Sequence, residues 1–267
     1  QYEYLNGSEI KNRFPIFKPA TDTVALFEKN AGILFPEECI RTNLELAKMG
    51  DVDFHFGETV VQIKNKGDLV EIQTDKETYD VRKVIVSAGA WIGGLFPELQ
   101  LPLTVKRQVL FWYKCVSANA ENFLPERFPI YIWEHEADNI FYGFPDLGDG
   151  IKIAVHHQGK LTTADQVDRT VSPEEIDQMT SIVNHYFDAQ LVFNYATVCM
   201  YTNTPDEDFI IDFHPGNKNI IVASACSGHG FKFSSAIGKI LSEMILDEPI
   251  SFDLSPFNIG RFIHPAI

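Results

Sequence analysis

The sequence is short of cysteine, of basic residues and of long hydrophobic runs, and each shortage narrows what the chain can be. Its four cysteines, at positions 39, 115, 199 and 226, are widely spaced and form no C-x-x-C pair. Such spacing favours reduced thiols over a disulfide framework, and it therefore predicts a cytoplasmic protein.

Acidic residues outnumber basic ones: the sequence has 37 Asp and Glu but 22 Lys and Arg, which gives a formal net charge of −15. Nucleic acids and anionic membranes bind basic faces, so neither is an expected partner. No apolar run approaches the roughly 18 residues of a membrane span. The first residues, QYEYLNGSEI, lack an initiator Met and the basic and then apolar layout of a signal peptide.

What the sequence does contain is a globular composition with clear helix and strand signals. Hydrophobic residues make up 45% of its 267 positions, which is enough for one or two domains. A helix is predicted from Pro36 to Gly50, and the capping box of Ser172 and Glu175 begins another. Alternating runs between about 101 and 157 predict antiparallel strands. The sequence therefore predicts a mixed α/β chain with a β-rich middle.

Two further patterns concern strands outside that middle. Residues 84–86, Val-Ile-Val, are apolar on both faces, as in a parallel strand that is covered on both sides. The stretch before them alternates polar and apolar residues and predicts a hairpin with its turn at residues 65–67. Residues 84–86 are followed by SAGAW, in which small residues that include Ala88 and Gly89 precede Trp91. Small side chains there permit the close approach of another backbone or a ligand.

A glycine-rich stretch, CSGHGFKFSS at residues 226–235, lies between a predicted buried strand and a final helix that we expect from about Phe231 to Leu246. A strand, a glycine turn and a helix N-terminus together favour an anion. Lys232 would sit in the first helical turn, where the helix dipole disfavours a cation, so we expect a negative partner nearby. A glycine turn that holds no ligand is equally consistent with this stretch.

A serine hydrolase is a further alternative, because Ser227 and His229 lie close together in the same stretch. The G-x-S-x-G elbow of such enzymes is not met, since Ala225 stands where the first glycine should be.

Cys199 precedes an acidic turn in the segment CMYTNTPDEDFIID. A lone cysteine in a strand is most often a buried hydrophobe, and no histidine is near enough in the sequence to activate it as a nucleophile. Lys152 and His156 are four residues apart, so a strand would place both on one face. Local sequence leaves Lys152 open to interpretation as a solvated lysine. No metal site is predicted, because His156 and His157 would point to opposite faces of a strand.

Five motifs occur here in the order that they have in the monomeric sarcosine oxidase and N-methyl-L-tryptophan oxidase family: VIVSAGAW, KRQVLFWY, YGFP followed by IKIAVHH, CMYTNTPDEDFIIDFHP, and SGHGFKFSS. The chain resembles this family over nearly its whole length. The resemblance implies a glutathione-reductase-like FAD-binding domain and a substrate domain built on a mixed, largely antiparallel sheet. It also implies a monomeric FAD enzyme that oxidises small-molecule secondary amines and passes the electrons to oxygen, giving hydrogen peroxide.

The resemblance also implies roles for single residues. Cys199 corresponds to the cysteine that holds the flavin through an 8α thioether. Lys152 resembles the lysine that activates oxygen beside the flavin N5 atom, and Lys232 resembles the one that binds the substrate carboxylate. The remaining candidates are the pocket residues Tyr142, His156 and Tyr201, and the cofactor-binding residues Ala88, Gly89, Trp91, Gly228, His229 and Gly230.

The family begins with a βαβ unit that carries G-x-G-x-x-G and binds the FAD pyrophosphate, and no such motif occurs here. We therefore expect that the chain starts inside the family's sequence, and that by itself it binds FAD weakly or not at all and is inactive. Segments 1–34 and 99–200 are assigned to the substrate domain, and segments 35–98 and 201–267 to the FAD-binding domain.

The choice between the two kinds of N-methyl amino-acid oxidase stays open, and so do alternatives to both. PDEDFIID is slightly closer to the N-methyl-tryptophan enzymes, whereas CMYT resembles the sarcosine enzymes. A relative that acts on glycine or on a fructosyl amine would share the same motifs. A non-catalytic interaction module that kept the fold would also share them, although it would have no reason to keep Cys199, Lys152, His156 and Lys232 together.

Overall fold

A computed structural model describes residues 1–136 and 139–262 of the chain. Contacts within the chain divide it into two units built from discontinuous segments. The first unit comprises Gln1–Ile33, Arg107–Lys160 and Gln166–Met200, and the second comprises Leu34–Lys106, Leu161–Asp165 and the segment from Tyr201 onward. The assignment of substrate-binding and FAD-binding roles to the predicted segments stays a prediction, and the last five residues of the segment 201–267 lie outside the described residues.

Fourteen strands and five α-helices make up the described part of the chain. The strands are β1 (Tyr2–Asn6), β2 (Val24–Glu28), β3 (Val60–Lys66), β4 (Leu69–Thr74), β5 (Thr78–Val81), β6 (Val84–Val86), β7 (Thr104–Cys115), β8 (Tyr131–Glu136), β9 (Asn139–Phe144), β10 (Ile151–Val155), β11 (Leu161–Thr162), β12 (Leu191–Asn203), β13 (Ile210–His214) and β14 (Asn217–Ser224). The helices are α1 (Gly7–Arg13), α2 (Pro36–Met49), α3 (Ile92–Leu95), α4 (Pro173–Tyr186) and α5 (Ser234–Ile245).

The main sheet of the first unit has β7 paired with β10, β10 with β9, and β9 with β8, all antiparallel. Strand β12 pairs with β7 as well. The antiparallel strands predicted between residues 101 and 157 are therefore confirmed. Register is set by direct pairs such as Lys152 opposite Trp112, and this pairing decides which side chains share a face.

Helix α4 covers one face of that sheet. Its predicted start is confirmed, because Ser172 Oγ accepts from the Glu175 N–H and the Glu175 carboxylate accepts from the Ser172 N–H. Met179 and Val183 are buried along its apolar stripe. The core that they join contains alternate residues of the sheet and many rings: Phe17, Phe111, Tyr113, Phe123, Phe128, Phe141, Ile151, Ile153 and Phe187.

The second unit contains two three-stranded sheets. In one, β6 pairs with β14 in parallel and β14 with β13 antiparallel, which confirms the parallel strand predicted at residues 84–86. The other is the meander β3–β4–β5. Its first turn lies later than the sequence predicted, because Lys66 pairs with Leu69 and only Gly67 and Asp68 connect the strands. Gly67 has the positive φ, +77°, that this turn requires.

Helix α2 confirms the first predicted helix but packs differently from an ordinary amphipathic helix. None of its residues is buried. Its end also differs from expectation, because Gly50 has a φ of −97° and the left-handed residue is Asp51, with φ +58°. The last turn is closed instead by the Gly50 N–H, which donates to the Ala47 carbonyl.

Candidate active site

The face of the first unit's main sheet that lies opposite α4 carries most of that unit's candidate site residues. Tyr113 faces α4, because its hydroxyl lies 2.9 Å from Thr180 Oγ1, so the neighbouring Trp112 points to the other side. Lys152 lies directly opposite Trp112 and also opposite Phe144. We call this side the front face; it carries Tyr142, Phe144, Lys152, Gln108, Trp112, Tyr195 and Cys199.

Lys152 is placed between two rings on the front face. Its Nζ lies 5.4 Å from the centroid of Trp112 and 5.3 Å from that of Phe144. Trp112 in turn stacks on Tyr195 of β12, with centroids 4.6 Å apart. Aromatic faces attract a cation at these distances, and Lys152 is half-buried. Lys152 is therefore not the solvated strand lysine that the local sequence left open.

Cys199 shares the front face because it follows Tyr195 by four residues in β12. Burial raises the pKa of its thiol above the ordinary value, although the positive charges of Lys152 and Arg169 act in the opposite direction. Arg169 is fixed beside it, since its Nη1 donates to the Val198 carbonyl at 3.1 Å. The thiol is therefore protonated near neutral pH, with two cations available to a thiolate.

His156 and Tyr142 lie near each other where β10 ends. Their rings are perpendicular, with centroids 5.7 Å apart, and the His156 N–H donates to the Ile140 carbonyl at 2.8 Å. His157 departs from the prediction that it would point away from His156. Because β10 has ended and His157 has a φ of +59°, the two histidine rings lie 4.0 Å apart.

Within the described ranges 1–136 and 139–262, no three His, Cys, Asp or Glu side chains are arranged to hold a metal ion. The described helices likewise include none that is long and apolar enough to cross a membrane.

In the second unit, the predicted glycine stretch forms a tight turn at Ser227–Gly230, which we call the glycine turn. Gly228 has a φ of +74°, and a Cβ added there would lie 2.6 Å from the Tyr201 ring. A Cβ on Gly230 would lie 1.8 Å from the Ala225 carbonyl oxygen. Both glycines are thus required by close packing, and Tyr201 is fixed against the turn.

The polar groups of the glycine turn do not form a hydrolase pair. Ser227 is buried, and its hydroxyl donates to the Asp208 carbonyl at 3.4 Å. His229 directs Nδ1 to the Ser227 carbonyl oxygen, 2.8 Å away, rather than to the hydroxyl. Its ring stacks on Phe209, with centroids 5.0 Å apart. The geometry therefore gives the serine hydrolase alternative no support.

Lys232 follows the glycine turn on an exposed 3-10 turn, Gly230–Phe233. Helix α5 begins only at Ser234, later than the predicted start near Phe231, because the intervening residues take the tighter 3-10 geometry. The Lys232 Nζ lies 5.3 Å from the Phe233 ring. Its ammonium group is accessible to an anion from solvent.

The third candidate group of the second unit follows strand β6. The Trp91 N–H donates to the Ala88 carbonyl at 3.0 Å, and Gly89 between them has a φ of +53°. The Trp91 indole donates to Asp165 at 2.8 Å. The Ala88 and Gly89 backbone therefore forms a short turn directly after the parallel strand β6. A Cβ on Gly89 would meet nothing within 4 Å, so the close approach of another backbone that the small residues would permit is not seen there.

The predicted residues thus fall into separate groups. Those of the first unit are Tyr142, Lys152, His156 and Cys199, and those of the second are Ala88, Gly89, Trp91, Tyr201, Gly228, His229, Gly230 and Lys232. Sequence reasoning did not single out Trp112, Phe144 or Arg169. Strand alternation places Trp112 on one face of β7, but only the register against β10 shows that it contacts Lys152.

Comparison with known proteins gives concordant matches. The family described as FAD dependent oxidoreductase (DAO) matches residues 1–244. The chain is 36% identical over 265 residues to a monomeric sarcosine oxidase of Streptomyces avermitilis, covering 97% of this chain and 69% of that protein. It is 33% identical over 264 residues to an N-methyl-L-tryptophan oxidase of Escherichia coli O157:H7, with coverage of 97% and 69%.

The fold is also similar to that of solved structures. The glycine oxidase from Geobacillus kaustophilus superposes with a TM-score of 0.81 at 16% identity, covering 99% of this chain and 68% of that one. This likeness supports the mixed α/β architecture that the sequence predicted.

Proposed function

Because the chain belongs to the FAD dependent oxidoreductase (DAO) family, we propose that it oxidises the secondary amine of an N-methyl amino acid and passes the electrons to oxygen. The observation that carries the proposal is the front face, where a half-buried thiol and an ammonium group between two rings lie on one sheet. The relatives named sarcosine oxidase and N-methyl-L-tryptophan oxidase, at 33–36% identity, support the same substrate class.

Each unit, taken by itself, offers groups that suit part of a flavin. The front face offers a thiol at Cys199 and aromatic surface at Trp112 and Tyr195, which suit a planar ring. The glycine turn requires glycine at 228 and 230, because a Cβ there would meet the Tyr201 ring and the Ala225 carbonyl oxygen. We propose that backbone N–H groups of this turn contact the flavin. When bound, FAD supplies the two-electron oxidation of the amine and the subsequent transfer of electrons to oxygen.

Cys199 is the proposed attachment point for the flavin. Attachment needs the thiolate, and burial keeps the pKa of this thiol above its ordinary value. Lys152 and Arg169 supply the positive charge that favours the thiolate when an electrophile is present. The same burial protects the free thiol from unselective oxidation.

Lys152 is the proposed site of oxygen activation. Negative charge develops on oxygen as it gains electrons, and a fixed ammonium group stabilises that charge in a partly desolvated site. Trp112 and Phe144 hold the ammonium group on the front face. No movement of Lys152 is then needed when the charge appears.

Four of the remaining candidates are proposed to bind and orient the amine: Lys232, Tyr201, Tyr142 and His156. Lys232, exposed on its 3-10 turn, would bind the substrate carboxylate. In the second unit, Tyr201 is fixed against Gly228 and is proposed to contact the substrate. In the first unit, the perpendicular pair of Tyr142 and His156 is proposed to do the same. A carboxylate clamp of this kind raises the rate by orientation.

The test uses the protein expressed from its complete gene. We expect flavin absorbance that survives acid precipitation, and peroxide release with sarcosine or N-methyl-L-tryptophan. One amine and one oxygen would be consumed with one water, to give the demethylated amine, formaldehyde and hydrogen peroxide in equal amounts. Peroxide with glycine or a fructosyl amine alone would move the substrate class, and no peroxide with any amine would favour the non-catalytic module.

Two variants locate the chemistry. Cys199→Ser should abolish acid-stable flavin, whereas Cys115→Ser, which changes another half-buried thiol, should retain it. Lys152→Met should slow reoxidation by oxygen about a hundredfold with little change in reduction by substrate. Lys114→Met, on an exposed lysine of the same sheet, is the matched control. Equal slowing of both half-reactions would contradict the role of Lys152.

A further inference from the structure

Strand β12 departs from regular alternation just before Tyr195. Phe193 and Ala196 both pack against the core of the first unit, although regular alternation would turn residues three apart to opposite faces. Asn194 and Tyr195, between them, are both exposed. The strand therefore accommodates one extra residue here, as a β-bulge does, and such bulges re-aim a neighbouring side chain.

The re-aimed side chain is that of Tyr195, and it lies on Trp112 of β7. The two ring centroids are 4.6 Å apart and the ring planes differ by 12°, which is a stacked arrangement. The preceding residue fixes the backbone, because the Asn194 amide donates to the Asp149 carbonyl at 2.9 Å. Tyr195 therefore covers the side of Trp112 that faces β12.

Lys152 lies on the other side of Trp112. Strand β7 pairs with β12 along one edge and with β10 along the other, so the side chains form a row across four strands: Tyr195, Trp112, Lys152 and Phe144. The Lys152 Nζ is 5.4 Å from the Trp112 centroid, a separation at which the attraction of a cation depends on where the ring stands. With Tyr195 in place, the indole cannot turn away from Lys152 toward β12.

Packing alone does not explain the ring of Tyr195. The residue is 39% exposed, and a polar β-branched side chain would suit an exposed strand position equally well. We propose that Tyr195 is a positioning residue that acts through Trp112, holding the indole against Lys152 and thereby fixing the ammonium group. The inference rests on the oxygen-activating role proposed for Lys152, and it adds the residue that fixes the geometry of that role.

The first experiment measures the two half-reactions of the flavin-loaded protein separately. Tyr195→Leu removes the ring, and we expect reoxidation by oxygen to slow about fivefold while reduction by the amine keeps its rate. Tyr195→Phe keeps the ring and should have wild-type rates in both half-reactions. Tyr195→Thr is a second ring-free variant in case the leucine variant fails to fold. Equal slowing of both half-reactions, or a phenylalanine variant as slow as the leucine variant, would overturn the assignment.

The second experiment asks whether Tyr195 acts through Lys152. A positioning residue has no effect once the residue that it positions is gone, so the two substitutions should not be additive. In the Lys152→Met background, Tyr195→Leu should slow reoxidation no further. The same fivefold slowing in that background would show that Tyr195 acts on general structure, and it would overturn the assignment.

Phe193→Leu is the matched control, because it removes a ring from the same strand but from the opposite face. Phe193 contacts Tyr113, which faces α4, with ring centroids 5.9 Å apart. Both half-reactions should keep their wild-type rates in this variant. A selective slowing of reoxidation as large as that of Tyr195→Leu would overturn the assignment, because any ring of β12 would then serve.

A readout that is independent of turnover is the NMR signal of the Lys152 ε-methylene protons, which is assigned by its loss in Lys152→Met. Ring currents of Trp112 and Phe144 should shift this signal upfield. Tyr195→Leu should move it toward the position of an exposed lysine, and Tyr195→Phe should leave it in place. A signal that does not move in Tyr195→Leu would overturn the inference.

The same measurements separate this inference from the function on which it rests. If Lys152→Met leaves reoxidation unchanged, the proposed role of Lys152 fails and this inference fails with it. If Lys152→Met slows reoxidation but neither Tyr195→Leu nor Tyr195→Thr does, the inference about Tyr195 alone is overturned.

Discussion

The front face and the glycine turn, to which we assign the proposed function, are built in different ways. On the front face, the strands are ordinary and the proposed function lies in side chains, with Lys152 held by the rings of Trp112 and Phe144. In the glycine turn the proposed function lies in the backbone, because a Cβ at Gly228 or Gly230 would meet the Tyr201 ring or the Ala225 carbonyl oxygen. The first should therefore be sensitive to truncation of a side chain, and the second to the addition of a single methyl group.

The cores of the two units also differ in the kind of side chain that forms them. The first unit packs rings against one another around Phe17, which contacts Phe128, Tyr131, Trp133 and Phe187. The cores of the second unit are mainly aliphatic and surround the short strands that lead into turns. A sheet that is braced by large side chains can carry functional groups on its other face without special backbone geometry.

The largest effect should follow from removing the side chain that anchors α4 behind the front face. Arg107 is 9% exposed and donates to Glu175 Oε1 at 2.6 Å and to the carbonyls of Asp168 and Thr170. Arg107→Met leaves these acceptors unpaired, and we expect a loss of about 3–5 kcal/mol in unfolding free energy by urea titration.

The control for that variant is Arg127→Met. Arg127 pairs with Glu121, and both side chains are more than half exposed, so the unfolding free energy should not change measurably. Equal losses in the two variants would contradict the idea that buried side-chain contacts support the front face.

A smaller but still large effect is expected in the glycine turn from adding one methyl group. In Gly230→Ala the new Cβ would meet the Ala225 carbonyl oxygen at 1.8 Å, so the backbone must shift at a cost of about 2–3 kcal/mol. Gly238→Ala is the matched control in α5, because a Cβ there meets nothing within 4 Å. It should gain about 0.5–1 kcal/mol. Urea titration of both variants tests the contrast, which fails if they change stability in the same direction.

The difference between local and long-range information explains what the sequence could predict. The start of α4 at Ser172, the strands of the β-rich middle and the parallel strand at 84–86 follow from residues that are near in sequence. The Lys152 contacts depend on the register of β7, β9 and β10, which alternation within one strand does not determine.

Turn chemistry was predictable only in part. The need for glycine at residues 226–235 was visible, but the 3-10 turn that delays α5 to Ser234 was not. The closeness of His156 and His157 depends on the left-handed φ of His157. A positive φ is uncommon at a residue other than glycine and is rarely predictable from sequence. The family resemblance supplied the roles of the site residues, and those roles stay predictions.

The smallest effect concerns acid stability beside the glycine turn, where a side chain supports a backbone feature. Arg261 donates to Asp206 through Nε at 2.8 Å and Nη2 at 3.3 Å, and this pairing lowers the pKa of Asp206 to about 2. The pairing therefore stabilises the fold fully above the ordinary pKa of the carboxyl group, near 3.8, and this contribution is lost as the pH falls through about 2. Because the Asp206 side chain is 38% exposed, solvent screening limits the contribution to less than about 1 kcal/mol. Asp206→Asn should lower the unfolding free energy by that amount at pH 7 and converge with the wild type near pH 2. A constant difference across this range would show that the charge of Asp206 does not contribute to the stability of this segment.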